Sequence, residues 1–300
     1  MKVQVFDYRW REKEAKDFFV EFEGNNGQKI GRKRLWLGHS LSIEKLGTPN
    51  CAGHISPETK LWRPCPKDSK GKFKCEYCRS IEGGFVFTAF DGFDTSQLSP
   101  ADLARIEGEH WVYLAYFGEG MVKVGVSQFA RKFLRQIEQG SAATLFIAKT
   151  PDGVFARQIE TLIRKTGLAD KIKTSQKKDF LFPEVSSAKQ TLFEVLKTHV
   201  SGLDGEHESL KQYLLPEPEF FDWTDVGMKK LPTHNIHPIK LDVGEWVSGE
   251  IVGLKGPFII LDTGDDLVSL APKDFRGCMV DFALKQKGLG IQSALQNSLF

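Results

Sequence analysis

Between residues 47 and 80 the chain has almost nothing from which to build a hydrophobic core, and four of its five cysteines fall there. Pro, Lys, Gly and Cys dominate the stretch, and apolar periodicity disappears. A segment of that length must be disordered or be held by something other than apolar burial. Cys75-Glu76-Tyr77-Cys78 is a C-x2-C knuckle that presents two thiolates to one ion. Cys51 and Cys65 lie upstream, beside the backbone-shaping Pro49, Gly53, Pro64 and Pro66. Zinc takes four soft ligands in closed structural sites, and its binding turns metal affinity into folding free energy. The expectation is a structural zinc ion (Zn2+) on Cys51, Cys65, Cys75 and Cys78. Cys51-Ala52-Gly53-His54 also offers C-x2-H, so His54 is the alternative to Cys65 as fourth ligand. A catalytic zinc is disfavoured, because such sites keep three protein ligands and one position open for water. Cys278, alone far downstream, reads as a small buried apolar residue.

The chain has 300 residues, 41% hydrophobic and 27% charged, which is ordinary for a folded protein of two or three domains. No run approaches the roughly 20 apolar residues of a membrane span, so no membrane partner is expected. The N-terminus lacks the charged start, apolar middle and small-residue cleavage site of a signal peptide. Clustered cysteines suit metal binding in a reducing compartment, and a cytoplasmic location is expected. The net charge of +2 says little, because a global balance hides local patches.

The pattern along the chain predicts an α+β protein of several parts. Residues 1–48 read as an all-β segment, with strands at 3–8, 18–23 and 41–46 and a hairpin running on into 34–37. Residues 49–82 form the zinc-binding module. Residues 83–108 supply a connecting strand at 85–90 and a helix opened by Ser99-Pro100-Ala101-Asp102 and closed by Gly108. Residues 109–182 give strand, strand, helix, strand, helix: 111–116 and 121–126 around the Gly118-Glu119-Gly120 turn, a helix capped by Ser127 with Phe129, Phe133, Leu134 and Ile137 on one face, a strand at 144–149, and a helix from Thr150-Pro151-Asp152 to Gly167. Residues 183–238 hold a helix at 187–199 and a proline-rich linker. Residues 239–300 show short strands at 245–252, 258–262, 267–270 and 279–282, the spacing of a small β-barrel or sandwich.

In the central unit, the hairpin brings Tyr113 and Lys123 onto adjacent strands. Arg131 and Arg135 lie four apart on the polar face of the first helix. Glu160 lies on the second helix between Arg157 and Arg164. Each feature has an ordinary structural explanation: a half-buried strand tyrosine, a solvated helix face, an ion pair at helical spacing.

Together they resemble the GIY-YIG nuclease superfamily. The resemblance rests on Val112-Tyr113-Leu114, then Lys123-Val124-Gly125, then a helix with arginine and a helix with glutamate. More closely, residues 122–127, Gln139-Gly140-Ser141-Ala142, the Ile159-Glu160 helix followed by Asp170-Lys171, the cysteine cluster and residues 253–259 resemble a prokaryotic family of unknown function, DUF2797. The nuclease resemblance implies that Tyr113 positions or deprotonates the attacking water. It implies that Gly125 leaves room for phosphate, that Arg135 or Arg131 clamps it, and that Glu160 holds a divalent ion, Mg2+ or Mn2+. Lys123 stands where the second motif has tyrosine, and two arginines bracket the expected place of one.

Charge supports a polyanionic partner. Residues 110–182 carry twelve Lys and Arg, among them Lys132, Arg157 and Arg164, against six acids. Such a surface releases counterions on meeting phosphates. The expected partner is DNA or RNA. The expected function is a nucleic-acid-binding protein with a GIY-YIG-like domain, as a metal-dependent endonuclease or as a non-catalytic adaptor. A zinc-stabilised interaction scaffold is the third possibility.

Overall fold

Alternating Val, Phe and Trp carry the first strand well past the expected residues 3–8. In the computed structural model, β1 spans Lys2–Glu14 and pairs antiparallel with β2 (Asp17–Asn25), which pairs in turn with β3 (Ile30–Leu35). The residues described are 2–14, 17–25, 30–59, 61–82, 90–177, 185–229, 236–283 and 285–291. A register shift between Val5 and Asp7 flips the side-chain parity of β1. Val5 and Trp10, an odd number of residues apart, are therefore both buried. β4 (Ser40–Lys45) follows, and the cysteine-bearing stretch adds only β5 (His54–Ile55), β6 (Trp62–Arg63) and the short helix α1 (Glu76–Glu82).

The chain then builds a second compact unit, residues 85–226. α2 (Pro100–Ile106) begins as expected, with Ser99 and Asp102 forming a reciprocal capping box. The strand expected at 85–90 falls outside the described residues except for Phe90, which is in no strand. β7 (His110–Tyr116), β8 (Val122–Gln128), α3 (Lys132–Gln139), β9 (Ala143–Thr150) and α4 (Gly153–Lys165) give the expected β-β-α-β-α order. Ser127 does not cap a helix. It is the penultimate residue of β8, paired across from Trp111, and a 3-10 turn at Phe129–Arg131 precedes α3. Phe129 is accordingly 49% exposed instead of joining Ile137 in the core. α5 (Thr174–Lys177) and α6 (Ala188–His199) follow.

The expected linker contains an element that composition hid. β10 (Leu214–Asp222) pairs antiparallel with β9 and closes a four-stranded sheet in the order β10-β9-β7-β8. Its Pro216 and Pro218 are tolerated because β10 is an edge strand. Trp223, 1% exposed, follows it and donates its indole N–H to Thr144 Oγ1 at 2.9 Å. One core of the unit lies under α4 and α6, built from Val112, Leu114, Leu145, Ile159 and Leu192.

The returning chain supplies β11 (Ile236–Pro238), β12 (Trp246–Lys255), β13 (Phe258–Asp262), β14 (Leu267–Leu270), β15 (Met279–Asp281) and β16 (Gly288–Gly290). These strands do not close into a small barrel of their own. They merge with the N-terminal strands in a ten-stranded sheet ordered β11-β14-β13-β12-β4-β15-β1-β2-β3, with β16 also on β12. β4 lies between β12 and β15, so Ile43 faces Val247 in register and both are fully buried. Residues 1–84 and 227–300 are thus one compact unit built from both ends of the chain. The barrel expectation failed because short, turn-punctuated strands look the same whether they pair among themselves or with distant partners. A peptide of residues 239–300 made alone lacks β4 and β1, and it is expected to show no cooperative thermal transition by circular dichroism. A sharp transition would contradict this account of the sheet.

Candidate functional site

The four cysteines converge as their spacing suggests. Their sulfurs lie within 4.8 Å of one another, and Cys65 Sγ is 3.7 Å from Cys75 Sγ. A tetrahedral ion with Zn–S bonds of about 2.3 Å has sulfurs about 3.8 Å apart, so the group can hold a metal ion such as zinc. Cys65 completes the cluster. His54 instead pairs with Arg63 across β5 and β6 and sets its ring edge-on to Tyr77. The backbone N–H of Cys75 donates to Cys51 Sγ at 3.2 Å and that of Cys78 to Cys75 Sγ at 3.5 Å, the arrangement of a thiolate knuckle. The Cys78 amide is the main cause that pulls Cys75 down to about 6, whereas burial pushes Cys51 and Cys78 up. Gly53, at φ +83°, has room only for hydrogen, since a Cβ would lie 2.1 Å from the Arg63 carbonyl. The module is tied to the large sheet: Asn50 N–H donates to Gly277 O, and Arg276 lies over the Phe73 ring.

The second site is a cleft of about 540 Å3 in the α/β unit, along β8, the edge strand of its sheet. All five side chains expected to act in catalysis line it: Tyr113, Lys123, Arg131, Arg135 and Glu160. Gly125 and Arg157 line it too. Lys132 and Arg164 do not. The Lys132 ammonium lies 3.7 Å from the Trp111 ring centroid, is surrounded by Phe133, Phe146 and Phe221, and pairs with Glu219 at 2.5 Å. Arg164 pairs with Asp170 at 3.2 Å on an exposed face.

Local structure explains how such distant residues meet. Lys123, Gly125 and Ser127 share one face of β8, and Tyr113 pairs directly with Gly125. A Cβ on Gly125 would lie 2.6 Å from the Tyr113 hydroxyl oxygen, so the phenol crosses the glycine backbone. Gly125 therefore makes room for Tyr113, and that packing is the requirement the structure shows. Gln139, one turn beyond Arg135 on α3, donates from Nε2 to Tyr113 Oη at 2.6 Å. Burial works against the Arg135 charge, but Tyr113 and Glu138 outweigh it and hold the guanidinium above its ordinary value. Arg131 also binds Glu138, at 2.5 Å. Glu160, 6% exposed, is paired with Arg157 on the same helix.

Arg105, Lys123, Arg131, Arg135, Arg157, Lys171 and Lys177 line the cleft against two carboxylates, Glu160 and Asp170. Arg105, Arg131, Arg135 and Arg157 are ion-paired with Asp102, Glu138 and Glu160, and the lining as a whole keeps an excess of cationic side chains. Lys177 was legible only as one charge among many. Burial, reinforced by Lys123 and Arg135, lowers its ammonium to about 7. It donates to the Gln139 carbonyl at 2.8 Å, so Gln139 links it to Tyr113. Burial likewise lowers His110, against the opposing pull of the Gly108 carbonyl 2.8 Å from Nδ1. Gln139 also escaped notice, although Gln139-Gly140 is part of the family resemblance. Arg105, at the end of α2, gave no signal.

The model of the family described as "Protein of unknown function (DUF2797)" matches residues 103–280, more than half of the chain. The chain belongs to this family. The matched stretch takes in the whole cleft lining and begins after the four cysteines. Comparison with curated proteins and with solved structures gives no match, so the likeness to GIY-YIG nucleases has no support from that side. No helix among the described residues is long and apolar enough to cross a membrane.

Two outcomes follow from this geometry. The full chain is expected to carry one equivalent of zinc by metal analysis, and Cys75→Ser to lose it; a well-folded, metal-free chain would show that residues 49–82 do not need an ion to hold their shape. Lys177→Met should stabilise the fold more at pH 6, where most of the buried ammonium is charged, than at higher pH. Between about 7 and the ordinary lysine value of 10.5, the native chain releases its proton first, so its stability rises with pH and the advantage of the variant shrinks. Urea unfolding across that range checks the sign, and an advantage that does not vary with pH would show that Lys177 is not held in this way.

Proposed function

We propose that the cleft along β8 binds a phosphodiester of DNA or RNA and hydrolyses it in the manner of the GIY-YIG nucleases, while the four cysteines hold a structural zinc ion. One observation carries the reading: Tyr113 from a strand, Arg135 from one helix and Glu160 from another line a single cationic cleft. The β-β-α-β-α order and the cross-strand Tyr113–Gly125 pair are consistent with that resemblance.

The residues divide the work by their chemistry. Arg135 and Arg131 face the non-bridging oxygens, where a guanidinium neutralises charge that grows in the transition state. The Tyr113 hydroxyl, held from behind by Gln139, orients a water molecule for in-line attack on phosphorus. Lys177, lowered to about 7 by burial and by Lys123 and Arg135, is driven back towards its charged form by a bound phosphate and adds a further cation there, while the water's proton passes to solvent. Glu160 is the carboxylate able to take Mg2+ or Mn2+, ions that need few protein ligands when substrate and water supply the rest. Such an ion, when bound, would supply Lewis acidity at the scissile phosphate.

A second reading has an observation in its favour. Arg157 already neutralises Glu160, and Lys123 occupies the place of the second tyrosine. Both suit a cleft that binds nucleic acid without cutting it. Incubating the protein with labelled DNA and RNA plus Mg2+ or Mn2+, beside Glu160→Ala and Arg135→Ala, decides the matter. Cleavage by the native chain that Glu160→Ala abolishes supports the nuclease. Salt-dependent binding that survives Glu160→Ala but weakens in Arg135→Ala, without cleavage, supports the adaptor. No affinity at low salt would sink both.

A further inference from the structure

Phe129 is the exposed aromatic residue nearest in sequence to the cleft lining. It follows Gln128 and precedes Arg131 by two residues, and both of these line the cleft. Its ring is 49% exposed, yet it is not loose. It stacks on Trp111 with centroids 5.8 Å apart and an interplanar angle of 18°. The Lys149 ammonium sits 4.9 Å from the ring centroid and is itself anchored to Glu109 at 2.6 Å. Trp111 in turn meets Phe146 edge-on and has the Lys132 ammonium over its face. An exposed, pre-ordered ring loses little conformational entropy on binding a flat partner.

At the same end of the cleft lie Arg105 and Ser127. The Ser127 hydroxyl is buried, lines the cleft and has no hydrogen-bond partner among the described residues. Gln128 fixes this end by donating to the Arg105 carbonyl at 2.9 Å. Cations that track a phosphate chain beside an aromatic platform are the two parts of a single-strand site. A base within a duplex is already stacked on both sides and offers no free face to Phe129.

Resting on the reading of the cleft as a phosphodiester site, we infer that Phe129 is a stacking platform for an unpaired base next to the bound phosphate, so that the ligand is single-stranded nucleic acid. The ring recognises the flat face of a base and not its edge, so the preference is for strandedness over sequence. Arg105 and Arg131 then face the phosphate that joins the stacked nucleotide to the one in the cleft.

The test uses the full chain and a labelled oligonucleotide of about 12 nucleotides, a length within known single-strand site sizes, in three forms: single-stranded, fully duplex, and single-stranded with abasic sugars. Affinity is read by fluorescence anisotropy at low salt for the native chain, Phe129→Ala, Phe129→Leu and Phe129→Trp. Expected are tighter binding of the base-bearing single strand than of the other two, a loss of roughly 10-fold in Phe129→Ala and Phe129→Leu for that strand alone, and retention in Phe129→Trp. Equal binding of base-bearing and abasic strands by the native chain, or an unchanged Phe129→Ala, would overturn the inference. The cleft reading would survive that result if Arg135→Ala still weakened binding. No binding of any form by the native chain would remove both.

Discussion

The phenol of Tyr113 can reach the cleft only because residue 125, directly across the hairpin, has no side chain. With a Cβ as close as 2.6 Å to the hydroxyl oxygen, any other residue would push the ring aside, and with it the hydroxyl that meets Gln139 of α3. The rest of the site is arranged around that crossing. Gln139 reaches Tyr113 Oη from α3, and its own carbonyl receives Lys177. Arg135, one turn earlier on the same helix, draws part of its charge stabilisation from the same phenol. A glycine thus sets the position of a tyrosine, which organises a glutamine, an arginine and a lysine.

Sequence showed the elements of this unit because they are local. The apolar run of β7, the turn that leads into β8, the helix start at Asp152 and the stop at Gly140 each depend on a few neighbouring residues. Tyr113, Arg135 and Glu160, singled out by a nuclease resemblance that the comparisons do not support, line one cleft, and the arginine ambiguity stands as two arginines on one carboxylate, Glu138. Two kinds of feature were not legible. Pairings between distant segments, such as β12 with β4 or β10 with β9, leave no mark within either segment. Nor did sequence separate Lys177 from Lys132, since both lie in a basic stretch. Packing draws one into the cleft beside two other cations and sets the other against aromatic rings and Glu219.

The unit made from the two chain ends solves a different problem. Residues 49–82 bring few apolar side chains, yet they must hold a fixed shape against the sheet. Cys51, Cys75 and Cys78 are buried with Cys65 packed on them, and the loop at Gly277, φ +80°, passes so close to Asn50 and Phe73 that no larger residue fits. Without an ion, gathering four thiols is a cost: burial raises Cys51 and Cys78, at Cys51 even against donated backbone amides, and only Cys75 is lowered on balance. A metal ion reverses that balance, because deprotonated sulfur is what it binds. The segment's shape and its metal affinity are one free energy seen from two sides.

The cleft shows the same logic with the sign of charge reversed. Of the seven cationic side chains around about 540 Å3, four arginines are ion-paired with carboxylates, whereas the Lys177 ammonium is lowered first by burial and then by the neighbouring Lys123 and Arg135. The core beneath α4 and α6, with Val112, Ile159 and Leu192 fully buried, is what maintains the arrangement. An anion entering the cleft removes repulsion as well as adding attraction. Its binding energy therefore comes partly from free energy already stored in the fold, and its arrival returns Lys177 towards its charged form. On the reading proposed for the cleft, that coupling would distinguish a site for phosphate from a basic surface that merely keeps a protein in solution, where exposed lysines stand apart.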